Sequence, residues 1–307
     1  MKKTIISAAL MLAGALCASA QVFNAGQPQR VGADDLRGGL AVISADGSFL
    51  ITSNAEGLSK VDLATGKARF IASAPWAYNV EIAPDGQSIV FNQAHIGDDK
   101  LRRASLECIT LADGKQRTVV KPSRDLCSGI VFNNGKVSAL ESDGKVRSLT
   151  LSKAVKARGT AEAERPLLSI NYGHLDITAG GETRHLDPLG PGSYLWPSLS
   201  PDGSKIVFRC VGEGTYVCNA DGSDARRLPG SILMPAWAGN DAIVGVEQTD
   251  DSERILTSTL KAVSLKDNAV QTLTDSTLIP MGPTCTADGS VCAFYNGDGA
   301  LYTIRLK

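Results

Sequence analysis

From Tyr194 to Gly230, apolar and polar positions alternate in short runs separated by turn residues. Ile206-Val207-Phe208 and Tyr216-Val217 are β-favouring runs, and the turns are Pro201-Asp202-Gly203 and Ala220-Asp221-Gly222. Alternation with a period of two turns one face of each run toward a core. Asp-Gly supplies the positive φ that a tight hairpin needs. The stretch predicts four short strands and leaves no room for a helix.

Weaker copies of this unit fill most of the chain. One series of turns comprises Ser44-Ala45-Asp46-Gly47-Ser48, Ala83-Pro84-Asp85-Gly86-Gln87, Asn133-Asn134-Gly135, Ser200 to Ser204, Gly239-Asn240-Asp241 and Ala287-Asp288-Gly289-Ser290. Apolar strands such as Phe49-Leu50-Ile51 and Ile89-Val90-Phe91 follow most of them. A second series lies inside each unit, with Arg or Gln shortly after: Thr65-Gly66, Asp113-Gly114, Gly180-Gly181, Asp221-Gly222 and Asp267-Asn268.

The sixth unit stops at Lys307 before its last strand, while residues 24–31 look like the end of a unit with no beginning. If the N-terminal segment completes the last unit, a ring of sheets closes and no edge strand is left open. The reading is therefore all-β: a six-bladed propeller of four-stranded blades, about 48 residues each, as one domain over 21–307. The blades are expected near 38–73, 76–121, 125–190, 194–229, 232–274 and 278–307 with 27–32. The third is long, and its Lys153 to Arg165 stretch, charged and alanine-rich, reads as an inserted loop or short helix. A seventh, incomplete blade in this region is the alternative.

With strands A to D alternating in direction, the Asp-Gly turns fall on one face of the disc and the irregular B–C and D–A connections on the other. That second face collects Trp76, Tyr78, Tyr194, Trp196, Met234 and Trp237, with Glu81 at the start of a strand A. The B–C loops of units two and five add the acidic stretches 93–100 and 247–254. Aromatic anchors ringed by acidic loops would suit a protein, peptide or glycan. The same aromatics would equally serve as wedges between blades.

Net charge is −1, so there is no basic surplus to hold a phosphate backbone and nucleic acid is not expected. Lys2-Lys3, an apolar run from Ile5 to Leu16 and Ala18-Ser19-Ala20 fit a cleaved signal peptide over residues 1–20, with a lipoprotein start at Cys17 as the alternative. The apolar run is short for a bilayer span, and no later stretch approaches one. A monomer in the periplasm or outside the cell is expected. Export permits disulfides among the six remaining cysteines. Cys210 and Cys218 flank a glycine-rich bend and are expected to face each other on a hairpin. Cys285 and Cys292 straddle Asp288-Gly289, where a one-residue change of turn would separate them.

No nucleophile-elbow, P-loop, dinucleotide or EF-hand string occurs, and no cofactor is indicated. A two-residue turn at Ala179-Gly180 would set His174 opposite His185, a candidate metal pair lacking an obvious third ligand. Glu81 and other carboxylates could line the channel, although nothing in their spacing singles out a catalytic pair.

Ser200-Pro201-Asp202-Gly203-Ser204-Lys205-Ile206-Val207-Phe208, followed by Tyr216-Val217 and Asn219-Ala220-Asp221-Gly222-Ser223, resembles the WD40-like PD40 repeat of TolB-type propellers. Residues 83–91 match it well; the first and last units match partially. The resemblance implies an exported propeller of the single-domain Bacteroidetes type, and Asp275-Ser276-Thr277 is similar to that phylum's short O-glycosylation sequon. The function expected is non-enzymatic binding through the aromatic face. A carbohydrate-active enzyme working at the central channel is the alternative.

Overall fold

The computed structural model describes residues 21–75, 77–124, 129–141, 145–151 and 164–307. All regular structure among them is β, in seven antiparallel sheets, six of consecutive strands and one that joins the first strand to the last three. Five sheets have four strands and two have three. The chain is thus a seven-bladed propeller, not the six-bladed ring expected from its turns. The stretch 125–190, expected to be one blade, contains two. Blade 3 is Ile130–Asn133, Lys136–Leu140 and Val146–Thr150; blade 4 is Leu167–Asn171, His174–Ala179 and Glu182–His185.

Backbone contacts show why these two blades read as one. In five blades the residue after strand C donates its N–H to the residue before strand B, as in Leu63 to Ser48 and Ala220 to Ser204. Leu151 does the same to Gly135, so the described strands of blade 3 occupy positions A, B and C. In blade 4 the first described strand runs opposite to its innermost neighbours. Arg165, before it, reaches Ser200 and Pro201 at one face of the disc. Gly173, after it, accepts from the N–H of Tyr194 at the other. Those strands therefore occupy positions B, C and D. Among the described residues the two blades together show one A–B turn (Asn134-Gly135) and one C–D turn (Gly180-Gly181), the signature of a single blade. The stretch read as an insertion, Lys153 to Arg165, lies outside the described residues except for its last two.

The ring closes through its termini. Gln29–Val31 pairs with Leu301–Thr303 as the outer strand of blade 7. Asn24 and Gly26 extend the pairing, donating to Lys307 and Arg305 at 2.7 and 2.9 Å. Gln271 of blade 6 clamps the segment further: its Oε1 accepts from Val22 and Phe23, and its Nε2 donates to the Phe23 carbonyl.

The core is seven apolar clusters, one at each junction of neighbouring blades. Phe49, Ile51 and Phe91 fill the junction of blades 1 and 2; Tyr194, Ile206 and Phe208 fill that of blades 4 and 5. Among the described residues, Val131, Leu140 and Leu167 alone form the buried cluster between blades 3 and 4. At roughly 25 cal/mol per Å² of apolar surface, this is the least cemented seam among the described residues.

The Ser-x-Asp-Gly-Ser turns are small hydrogen-bond hubs. Asp202 Oδ1 accepts from Ser200 Oγ (2.6 Å), Ser204 N–H (3.0 Å) and Ser204 Oγ (2.8 Å), and Ser200 Oγ accepts from Lys205 N–H. Asp46 and Asp288 are held alike. The bonds favour the charged form, holding Asp46 and Asp202 at about 2. Gly289 turns at φ 70, and a Cβ there would lie 2.6 Å from the backbone of Ala238 in blade 6.

Asp202→Ala removes an acceptor with three donors, and a loss of about 1–2 kcal/mol is expected in denaturant melts at pH 7. Because the Asp202 pKa is lowered, its contribution is present above pH 3.8 and fades as pH falls toward 2. A stability gap between mutant and parent unchanged down to pH 2 would contradict that assignment.

Candidate functional site

The innermost strands of blades 2, 5, 6 and 7 share an irregularity. Pairing with the second strand slips between Tyr78 and Glu81, Leu195 and Ser198, Leu233 and Ala236, and Met281 and Thr284. Each slip contains one residue in the left-handed region: Asn79 (φ 47), Trp196 (φ 50), Met234 (φ 48) and Gly282 (φ 53). Three are followed by proline, Pro197, Pro235 and Pro283, which lacks the N–H of a regular ladder. Asn and Gly tolerate positive φ, whereas Trp and Met there carry backbone strain. The triplets Leu-Trp-Pro, Leu-Met-Pro and Met-Gly-Pro were a legible signal for these bulges: a proline inside an inner strand demands one.

Beside two of the bulges lies a cavity of about 720 Å³. Blade 2 contributes Asn79 to Glu81 and Pro84, blade 3 Ile130 to Phe132, blade 4 Leu168 and Ile170, and blade 5 Leu195 to Leu199; Arg165 and Pro166 complete it. Its position follows from the strand count. With no described A strand in blade 4, the second-position strand carrying Leu168 and Ile170 faces the space that inner strands fill elsewhere. The wall is mainly apolar. Trp196 is 42% exposed, unusual for a tryptophan in an inner strand.

Two ionisable groups line this space. Glu81 is half-buried and has no hydrogen-bond partner among the described residues. Desolvation pushes its carboxyl up to about 7, against a smaller opposing pull from Arg165. Arg165 is held in place: Nη1 donates to Pro201 at 2.9 Å, Nη2 to Ser200 at 3.0 Å, and its backbone exchanges two bonds with Asn133. It tunes Glu81 from a fixed position. Sequence patterning missed Arg165, which sits at the end of the stretch read as an insertion.

The structure brings Glu81 and Trp196 to one cavity and places the other expected site residues elsewhere. Tyr194 is fully buried, packs on Phe208 at 5.4 Å, donates its hydroxyl proton to Gly190 and accepts from Leu189 N–H. Trp237 is 7% exposed at the junction of blades 5 and 6, its Nε1–H donated to Ser198. Met234 is half-buried at its own bulge, and Tyr78 lies under the Arg102 guanidinium at 5.7 Å. Trp76 lies outside the described residues. The acidic B–C stretches are largely ladder: strands run Ser88–Ile96 into Arg102–Thr110 and Ala242–Asp250 into Ile255–Ser264. Asp99 already pairs with Arg103.

The histidine pair also differs from expectation. The hairpin turns at Gly180-Gly181, one residue later than Ala179-Gly180, so His185 faces Asp176 and the two histidines are diagonal neighbours. The sequence His-Leu-Asp, at 174–176 and again at 185–187, yields two reciprocal pairs: His174 Nδ1 with Asp187 at 2.6 Å and His185 Nδ1 with Asp176 at 2.5 Å. The imidazoles stack at 4.2 Å. Potential ligand atoms of His174, His185 and Asp187 lie within 4.8 Å of one another. However, Asp187 already accepts from His174 and from Leu175 N–H, so the group is satisfied as a hairpin clasp. The Asp176 bond and charge raise the His185 pKa.

Cys210 and Cys218 do not face each other. The turn is Val211 to Glu213, setting Cys210 opposite Gly214 and Cys218 opposite Ile206, and both thiols are free.

No protein-family model matches the chain, and no curated protein matches it. Among solved structures it is similar to a chain of the mitotic checkpoint complex, at 12% identity and a TM-score of 0.62 over 99% of both chains. It is similar to the β-propeller domain of Cps50 (Swd1) from Myceliophteria thermophila, at 13% identity and TM-score 0.63 over 93% of this chain and 100% of that one. A putative TolB from Agrobacterium tumefaciens is similar at 17% identity and TM-score 0.53, over 89% of this chain and 90% of the other. These likenesses establish a β-propeller fold.

Glu81 generates a pH test. A raised carboxyl pKa means that folding favours the protonated form: its contribution is present below pH 4.5 and lost as pH rises through 7. Glu81→Gln is therefore expected to stabilise the fold by about 1–3 kcal/mol at pH 8 and to change little at pH 4. Equal denaturation midpoints for both proteins at pH 8 would refute the assignment.

Proposed function

We infer that this protein is an exported binding propeller whose cavity accepts a peptide segment of a partner protein, apolar in the main and carrying one basic side chain. The observation that carries the reading is the pairing of Trp196, exposed and strained at the cavity wall, with Glu81, a desolvated carboxylate lacking a partner among the described residues. An exposed aromatic in a concave apolar site is the usual anchor of recognition. A lysine or arginine brought beside Glu81 would stabilise its charge and offset its desolvation. The propellers of similar fold include a chain of a checkpoint complex, in keeping with a protein-binding role. Among the described residues Glu81 is the only carboxylate on the wall, whereas glycoside hydrolysis ordinarily uses two. Export rests on the basic, apolar and small-residue pattern of residues 1–20, which lie outside the described residues.

Panning a random peptide library against the mature chain is expected to enrich apolar sequences containing Lys or Arg. Trp196→Ala should weaken the selected peptides at least tenfold, about 1.4 kcal/mol. Their affinity should rise between pH 6 and pH 8 as Glu81 ionises, and Glu81→Gln should abolish that rise. Peptides binding both variants as tightly as the parent would overturn the site. Separately, N-terminal sequencing of the exported protein should begin at Gln21; a lipid-modified Cys17 start would overturn simple cleavage.

A further inference from the structure

We propose that Cys285 and Cys292 form a reversible disulfide that locks the blade through which the ring closes. The internal repeats serve as an alignment. In each of four blades the last ladder pair before the A–B turn is set by the same register: Ile43 opposite Leu50, Ile82 opposite Ile89, Leu199 opposite Ile206 and Cys285 opposite Cys292. Three of these pairs are aliphatic on both sides. In blade 7 both members are cysteine, a paired replacement at facing positions.

The geometry suits a bond. Beside each pair the next residue donates its N–H across the turn, as in Ser44 to Phe49 (2.9 Å), Ala83 to Ser88 (2.8 Å), Ser200 to Lys205 (2.9 Å) and Thr286 to Val291 (2.9 Å). Hydrogen-bonded and non-hydrogen-bonded pairs alternate along an antiparallel ladder, so Cys285 and Cys292 occupy the closer, non-hydrogen-bonded class. Its Cα separation of about 4.5 Å falls within the range of about 4.4–6.8 Å that a disulfide spans. The turn is well anchored by Asp288, which accepts from Thr286 Oγ1 and from Ser290, so the register that aligns the sulfurs is itself secured. Among the other described cysteines, Cys108 faces Val90 and Arg117, Cys210 faces Gly214 and Cys218 faces Ile206.

The two thiols have unequal access. Cys285 is half-buried, whereas Cys292 is fully buried, and its thiol is held above the usual range by the Cys285 thiol and by desolvation. Cys285 is thus the group that a disulfide donor meets first. Its thiolate attacks one sulfur of the donor, releasing one thiol and leaving a mixed disulfide. Cys292, losing its proton, then attacks the Cys285 sulfur and expels the second thiol. One S–S bond forms, two S–H bonds are lost as protons, and the donor takes both electrons. The bond would staple the two inner strands of the blade whose outer strand is the N-terminal segment.

The test uses the full mature chain, treated with glutathione disulfide or with dithiothreitol, then alkylated. Digestion before aspartate, which cuts at Asp288 between the two cysteines, should leave the peptide holding Cys285 joined to the peptide holding Cys292 in the oxidised sample, lighter by two hydrogens than the two free-thiol peptides together, whereas the reduced sample should yield the two peptides separately, each alkylated. Thermal unfolding of the oxidised form should lie a few degrees higher. The double variant Cys285→Ile with Cys292→Leu, which restores the aliphatic pairing of the other three blades, should fold and show no redox-dependent shift. Alkylation of both cysteines after oxidation, or glutathione retained on Cys285 without the internal link, would overturn the proposal. A link without any rise in unfolding temperature would overturn its role as a lock.

Discussion

Ring closure is the constraint on which the architecture depends. Each blade buries its faces against two neighbours, so the first and last blades would expose an apolar flank unless they met. They meet because residues 24–31 lie antiparallel to residues 301–307, donating the outer strand of the blade that the C-terminus builds. The join is non-covalent and spans the whole chain, which makes it the most entropically costly contact in the fold. Val31, Leu50, Ala293 and Leu301 then close a continuous core behind it. The paired cysteines lie two strands inward from that seam, where a covalent clip would act on the same blade.

The ring is uneven opposite the seam. Among the described residues, six of the seven blade junctions bury six or more apolar residues, and the junction of blades 3 and 4 buries three. The cavity opens beside this junction. Arg165 spans it, tied to the turn of blade 3 on one side and the turn of blade 5 on the other. The thinnest described part of the core is thus also the place where an apolar space, a fixed guanidinium and a desolvated carboxylate come together.

The inner-strand bulges supply the cavity's other ingredient. An uninterrupted ladder would alternate its side chains strictly between the two faces of the blade. The left-handed residue and the proline after it break that alternation and re-aim the side chains beside them. In blade 5 the left-handed residue is Trp196, which stands at the cavity wall, whereas Trp237 in a regular stretch of blade 6 serves as a wedge between blades. One residue type has two uses, set by local backbone conformation.

Propeller class, antiparallel blades, Asp-Gly turns and the pairing of the two chain ends were legible in the sequence, because each depends on period-two alternation and on residues that tolerate positive φ. Blade number was not, since the described residues of blades 3 and 4 together display one turn of each kind. Nor was the hairpin register: a shift of one residue at Gly180-Gly181 gave each histidine an aspartate partner, and a short turn after Cys210 separated Cys210 from Cys218. Register, burial and the convergence of Glu81, Arg165 and Trp196 depend on contacts between segments distant in sequence, and these are decided only when the ring closes.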